Sequence, residues 1–133
     1  HDPCHTPMKT YNPLRVAESL MDAKVRLSDR CCGEAGTLAT SRPDIAAQVR
    51  FRKEQELRNG LRELTGRERA QAGETKILTS CPACQQGLSR YTDITGLDSD
   101  YIVVELARLR LGETWQQDFL ARARQGGIER VLL

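Results

Sequence analysis

The stretch Thr75–Cys84, TKILTSCPAC, runs a strand pattern directly into a cysteine pair and a helix start. Ile77 and Leu78, flanked by threonines, favour extended chain. Pro82 is pre-set for the first position of a helix, and QQGLSRY behind it continues one. A strand that feeds a helix, with chemistry at the junction, belongs to an alternating α/β domain.

The rest of the chain is read outward from there. Downstream, TDITGLDSD reads as a loop and YIVVEL as a strand. Ile102, Val103 and Val104 in a row suit a strand buried on both faces. LARLRLG predicts a short helix ending at Gly112, and TWQQDFLARARQGG a helix capped by Thr114 and stopped at Gly126. Trp115 and Phe119 read as core contacts of that last helix. The tail IERVLL fits helix or strand. Upstream, a helical pattern spans Arg42 to Thr65, with Ser41 as N-cap and Pro43 and Asp44 in its first turn. Ile45, Val49, Leu57, Leu61 and Leu64 fall at core spacing, RFRKEQELR reads as its solvated side, and Gly60 weakens its middle. KVRLSD, with Val25 and Leu27 alternating, predicts a strand before the loop RCCGEAG. NPLRVAESLMDA predicts a helix with Asn12 as cap, Pro13 at its start, and Leu14, Ala17, Leu20 and Met21 on one face. HDPCHTPMKT reads as a loop. The alternation predicts an α/β fold: a small, mostly parallel sheet flanked by helices, with cysteine-bearing loops at the C-terminal edge of the strands.

The 133 residues suit a single domain, 1–133, with a real core. At 39% hydrophobic and 29% charged the chain is of the soluble globular class, and a net charge of +2 does not call for a nucleic-acid partner. No apolar run is long enough to span a membrane. The chain opens on HDPCH rather than Met and carries no signal peptide, so it reads as a fragment of a longer protein, its C-terminal domain. Five cysteines, an odd number in a core-sized domain, argue against a secreted disulfide framework and for a metal or redox role in a reducing compartment.

Those cysteines are Cys4, Cys31, Cys32, Cys81 and Cys84. Each group is expected just beyond a strand's carboxyl end, where open α/β sheets bind ligands. C-x-x-C lets one short segment give two sulfurs to one centre, and a helix N-terminus favours thiolates. The adjacent pair Cys31–Cys32 cannot readily bond to itself. It can present sulfurs in two directions, which suits a many-iron cluster better than one tetrahedral zinc. Gly33 and Gly36 permit positive φ and close approach of backbone to a bulky group. His5, beside Cys4, can ligate or hydrogen-bond a sulfur, or be a loop residue satisfied by backbone. His1 reads as an end residue, and Asp2 and Pro3 as turn formers. Glu34 is unexpected beside anionic sulfurs unless it faces solvent or N–H groups. Three other readings stand beside the cluster. Buried free thiols account poorly for cysteines in Gly/Pro/charge-rich loops. A CPAC dithiol leaves Cys4, Cys31 and Cys32 without a role. Structural zinc through four of the five is the stronger rival.

The sequence DPCH, then CCG, then CPAC resembles the cysteine-rich CCG domain family. That family includes a cysteine-rich subunit of heterodisulfide reductase and the glycolate oxidase iron–sulfur subunit. HDPCHTPMK and GGIERVLL are most similar to the C-terminal domain of large bacterial FAD-linked oxidases with an iron–sulfur region. The resemblance implies that Cys4, Cys31, Cys32, Cys81 and Cys84 hold a [4Fe–4S] cluster, non-cubane in some members, or zinc in others, with Gly33 as the motif glycine. It implies an electron-transfer domain of a flavin-linked oxidoreductase, with FAD in the parent protein and not in this domain, since the chain has no glycine-rich nucleotide loop. Its partner would be the flavin domain of the parent chain or a partner subunit, in the cytoplasm or peripheral to the inner membrane. The spacer before Cys31 is shorter than the family's and the spacer before Cys81 longer. The extra length falls in RKEQELRNGLRELTGRERAQAGETK, which is expected on the surface. Only one such domain is present, where many members carry two.

Overall fold

The structure is a computed structural model and describes residues 1–2, 13–34 and 36–126. Cys4, His5, the cap expected at Asn12 and the tail IERVLL lie outside the described residues. The chain divides into two units, His1–Ile102 and Val103–Leu133. In chain order the elements are α1 (Pro13–Met21), α2 (Leu38–Ser41), α3 (Pro43–Thr65), β1 (Lys76–Thr79), α4 (Pro82–Ser89), α5 (Thr92–Thr95), β2 (Asp98–Tyr101), α6 (Ile102–Leu111) and α7 (Trp115–Gly126).

The α/β reading holds, with the sheet in its smallest form. β1 and β2 pair in parallel, Lys76 opposite Asp98 and Thr79 opposite Tyr101. The crossover between them is α4 and α5. The strand does not lie where the apolar run YIVVEL places it. Tyr101 ends β2 and Ile102 opens α6. Glu105 to Leu111 are strong helix formers, and Glu105 pairs with Arg108 one turn on at 3.3 Å. The polar DSDY is held as a strand instead, with the Ser99 hydroxyl donating to the Gln85 carbonyl of α4 at 3.3 Å. The loop expected over TDITGLDSD is thus a turn of helix, closed by the Gly96 N–H on the Thr92 carbonyl at 2.7 Å, and then β2.

α3 begins later than its expected cap. Ser41 closes α2, its hydroxyl donating to the Thr37 carbonyl at 2.9 Å. Arg42 occupies the cap position and grips Asp44 at 3.0 and 2.8 Å. At the other end Gly66, at φ +77°, donates to the Arg62 carbonyl. The core groups Leu57 and Leu61 of α3 with Ile77 of β1, Leu88 of α4, and Ala70, Tyr91 and Leu97. Cys32 and Cys84 belong to the same cluster. Each leucine or isoleucine of this group contributes roughly 1.5–3 kcal/mol when removed from water.

Two expectations are corrected along α3. Ile45 is exposed, whereas Lys53 and Glu56, in the segment read as solvated, are buried. The long insertion is therefore not wholly a surface feature. KVRLSD forms no ladder either. Its residues run irregularly beside α3, where Arg26 pairs with Glu63 and Ser28 with Glu56. Side chains of a helix have replaced a neighbouring strand. Gly60 is the clearance for this arrangement: a β-carbon there would sit 3.2 Å from Arg26 Nη1. In the second unit α7 keeps the predicted bounds, and Thr114 and Asp118 are joined at 2.9 Å. It buries no residue among those described, and Phe119 is 39% exposed, against the core role expected for it.

Candidate metal centre

Four of the five cysteines are described, and all four are free thiols. β1 delivers two of them. Cys81 is the N-cap of α4, with its own N–H bonded to Thr79 Oγ1 at 3.3 Å, and Cys84 lies within the first turn. The N–H groups of Cys84 and Ala83 hold the Cys81 thiol below its ordinary value, with burial working the other way. Cys84 is pushed the opposite way, first by burial and then by thiol hydrogen bonds to Cys32 and Cys81.

The irregular arm 24–30 delivers the other two. The Cys32 and Cys84 sulfurs lie 3.5 Å apart, both residues buried. The Cys31 sulfur lies elsewhere, half-buried, accepting the Gly33 N–H at 3.3 Å. Adjacent cysteines thus meet different surroundings. Gly33 turns the chain at φ +80° and packs on Val49 and Arg50 of α3. Gly36 also has positive φ, +58°, in open space.

Two neighbours of the sulfur pair stand outside the residues that the cysteine pattern singles out. A ring nitrogen of His1 and the Cys32 and Cys84 sulfurs all lie within 4.8 Å of one another. His1 is held there because its main-chain nitrogen donates to the Leu78 carbonyl at 2.6 Å and its Nδ1 lies 2.9 Å from the Ser28 carbonyl. The spacing His-x-x-Cys at 1–4 was the available signal. The second is Gly87 of α4. A β-carbon there would stand 2.8 Å from Glu34 Cβ and 3.4 Å from Cys32 Cβ. Gly87 is what lets the CCG loop lie on α4. Gly87→Ala gains about 1 kcal/mol of helix propensity against roughly 1–3 kcal/mol of overpacking. The expected result is a lower urea midpoint and weaker metal loading; an unchanged midpoint would show that the loop retreats freely.

Glu34 also finds its explanation. Its Oε1 accepts from Arg90 Nη2 at 2.9 Å, so its charge is paired rather than left against the sulfurs. Its Oε2 is buried with no partner among the described residues.

The donor set fits a soft metal centre. Two sulfurs 3.5 Å apart are close to the edge of a metal–thiolate tetrahedron, which is about 3.8 Å for bonds of about 2.3 Å. The His1 imidazole borders this pair and the Cys81 thiol hydrogen-bonds with Cys84, whereas the Cys31 sulfur is not among the ligand atoms gathered within 4.8 Å of one another.

Comparison with known proteins adds two findings. A family model described as a domain of unknown function, DUF3400, matches residues 89–133, which excludes every cysteine. An uncharacterized iron–sulfur protein of Methanococcus maripaludis is 26% identical over 119 residues, covering 82% of this chain and 22% of its own length. A second uncharacterized iron–sulfur protein, of Methanocaldococcus jannaschii, is 26% identical over 121 residues with the same coverage. The chain thus spans about a fifth of the length of these relatives. No solved structure matches it. No helix among the described residues is long and apolar enough to cross a membrane.

Proposed function

We propose that this chain is an iron–sulfur cluster-binding, electron-transfer domain of a flavin-linked oxidoreductase, ligated by Cys4, Cys31, Cys32, Cys81 and Cys84. The observation that carries the reading is the convergence of Cys32 and Cys84, 52 positions apart in sequence, into one buried pair. Two relatives that cover most of the chain and bear the name iron–sulfur protein support it. When bound, a cluster of this kind supplies a one-electron relay. The chain's own part is ligation, amide donation to sulfur by Gly33 and the α4 start, and exclusion of water by the apolar cluster around Leu88. The electron donor or acceptor would be a flavin domain, in the parent chain or a partner subunit, in a reducing compartment.

One observation favours a second reading. The close Cys32–Cys84 pair with His1 beside it suits a single zinc ion. Anaerobic reconstitution with iron and sulfide, followed by iron, sulfide and zinc analysis, separates the two. The expected product is brown, with visible absorption, an EPR signal and iron retained on desalting. A colourless chain with zinc at unit stoichiometry, and no iron uptake under reconstitution, would sink the cluster reading.

A further inference from the structure

We propose that Lys53 and Glu56 are positioning residues of the thiolate centre. Glu56 fixes the arm that carries Cys31 and Cys32, and Lys53 sets a buried positive charge on the side of Cys32 and Cys84. The inference rests on reading these cysteines as a metal–thiolate centre.

Glu56 spends both carboxylate oxygens on the arm and on Lys53. Oε1 accepts the N–H groups of Asp29 and Arg30 at 3.1 and 3.2 Å. Oε2 accepts the Ser28 hydroxyl at 2.8 Å and Lys53 Nζ at 2.7 Å. These contacts end one residue before Cys31, on a segment that no strand holds. Lys53 is fully enclosed, with 0% of its side chain exposed. Its ammonium also donates to Ser28 Oγ and lies 3.2 Å from His1 Nδ1, the residue whose ring borders the two sulfurs. The pair is neutral in sum but oriented. Its cationic end faces His1, whose ring borders the sulfur pair; its anionic end faces the amides of the arm.

Stability alone is a poor reason for such a pair, because apolar residues of similar volume commonly serve as well or better. Anionic thiolate chemistry is a better one. A metal–thiolate centre gains negative charge as cysteines deprotonate and again when it is reduced. A fixed buried ammonium favours both changes at short range.

The test compares wild type with Lys53→Met, Lys53→Arg and the double variant Lys53→Met/Glu56→Gln, which leaves no buried charge unpaired if the single variant fails to fold. In the iron-loaded protein, removing the ammonium is expected to disfavour the reduced state about tenfold, a fall in midpoint potential of about 59 mV for one electron. Lys53→Arg should restore most of it. Cobalt(II) titration, read by its thiolate charge-transfer band, is expected to show at least tenfold weaker binding in Lys53→Met or the double variant. Potential and cobalt affinity both unchanged in a folded charge-removed variant would overturn the proposal. A wild type that takes no iron, yet loses cobalt affinity with Lys53, would overturn the cluster reading and uphold this one.

Discussion

Cys84→Ser is expected to strip the centre of its metal. Cys84 is 2% exposed, and its sulfur lies 3.5 Å from that of Cys32 inside the apolar cluster. A serine hydroxyl keeps the volume but offers a hard, weakly acidic oxygen where a soft thiolate is required. Retained metal after desalting should fall at least tenfold, and Cys32→Ser should match it, because the two sulfurs form one donor pair. The comparison also tests the CPAC dithiol reading, in which Cys81 and Cys84 alone carry the chemistry. That reading requires Cys32→Ser to behave like wild type. Metal analysis of the two variants, prepared side by side without oxygen, decides between them. Full metal retention in Cys32→Ser would remove the buried pair from the site.

Glu56→Ala is expected to be the most damaging single substitution for stability. It leaves the Lys53 ammonium enclosed without its counter-charge and orphans the Ser28 hydroxyl and the amides of Asp29 and Arg30. Breaking a buried pair from one side costs about 3–5 kcal/mol. Glu56→Gln, which keeps the acceptor, should cost less. The same carboxylate sets an acid limit. Burial opposes its charge, but hydrogen bonds from Lys53, Ser28 and Arg30 bring it down to about 2 from an ordinary 4.5. A depressed folded value means the contribution is complete above pH 4.5 and is lost as pH falls through about 2. Other charges near it are those of Lys53 on its own helix, and of Arg26, Arg30 and Arg52, which line a cavity with it. Urea midpoints measured down through this window should decline in wild type and decline less in Glu56→Gln. Parallel slopes in the two proteins would assign the acid limit to other groups.

What the sequence made legible follows from which forces are local. Pro82 after KILTS marked α4 and the end of β1, because proline geometry and β-branching act over a few residues. Pro43, Asp44 and the turn at Gly66 likewise mark α3. The cysteine pattern points at a shared site without the fold, and Cys32 and Cys84 do meet. The misses are the long-range ones. Ile102, Val103 and Val104 look like a strand until the helix formers behind them are weighed, and DSDY looks like a loop until β1 is beside it. Lys53 and Glu56 look like one more exposed charge pair. Only the arrival of the arm from elsewhere in the chain, with the Ser28 hydroxyl and the amides of Asp29 and Arg30, makes their burial tolerable. For His1 the sequence offers only the His-x-x-Cys spacing to Cys4, and its place beside Cys84 rests on a hydrogen bond to Leu78 that spans 77 positions.

The meeting of Cys32 and Cys84 across 52 positions has a polymer-physics consequence. One atom bonded to both sulfurs closes the chain into a ring of that size. Cross-links of this span lower the freedom of the unfolded chain by about 4 kcal/mol on the loop-entropy account. For a domain of this length that is a large share of the whole margin between folded and unfolded. Loading the centre and keeping the chain folded are then one equilibrium, and whatever empties the first loosens the second.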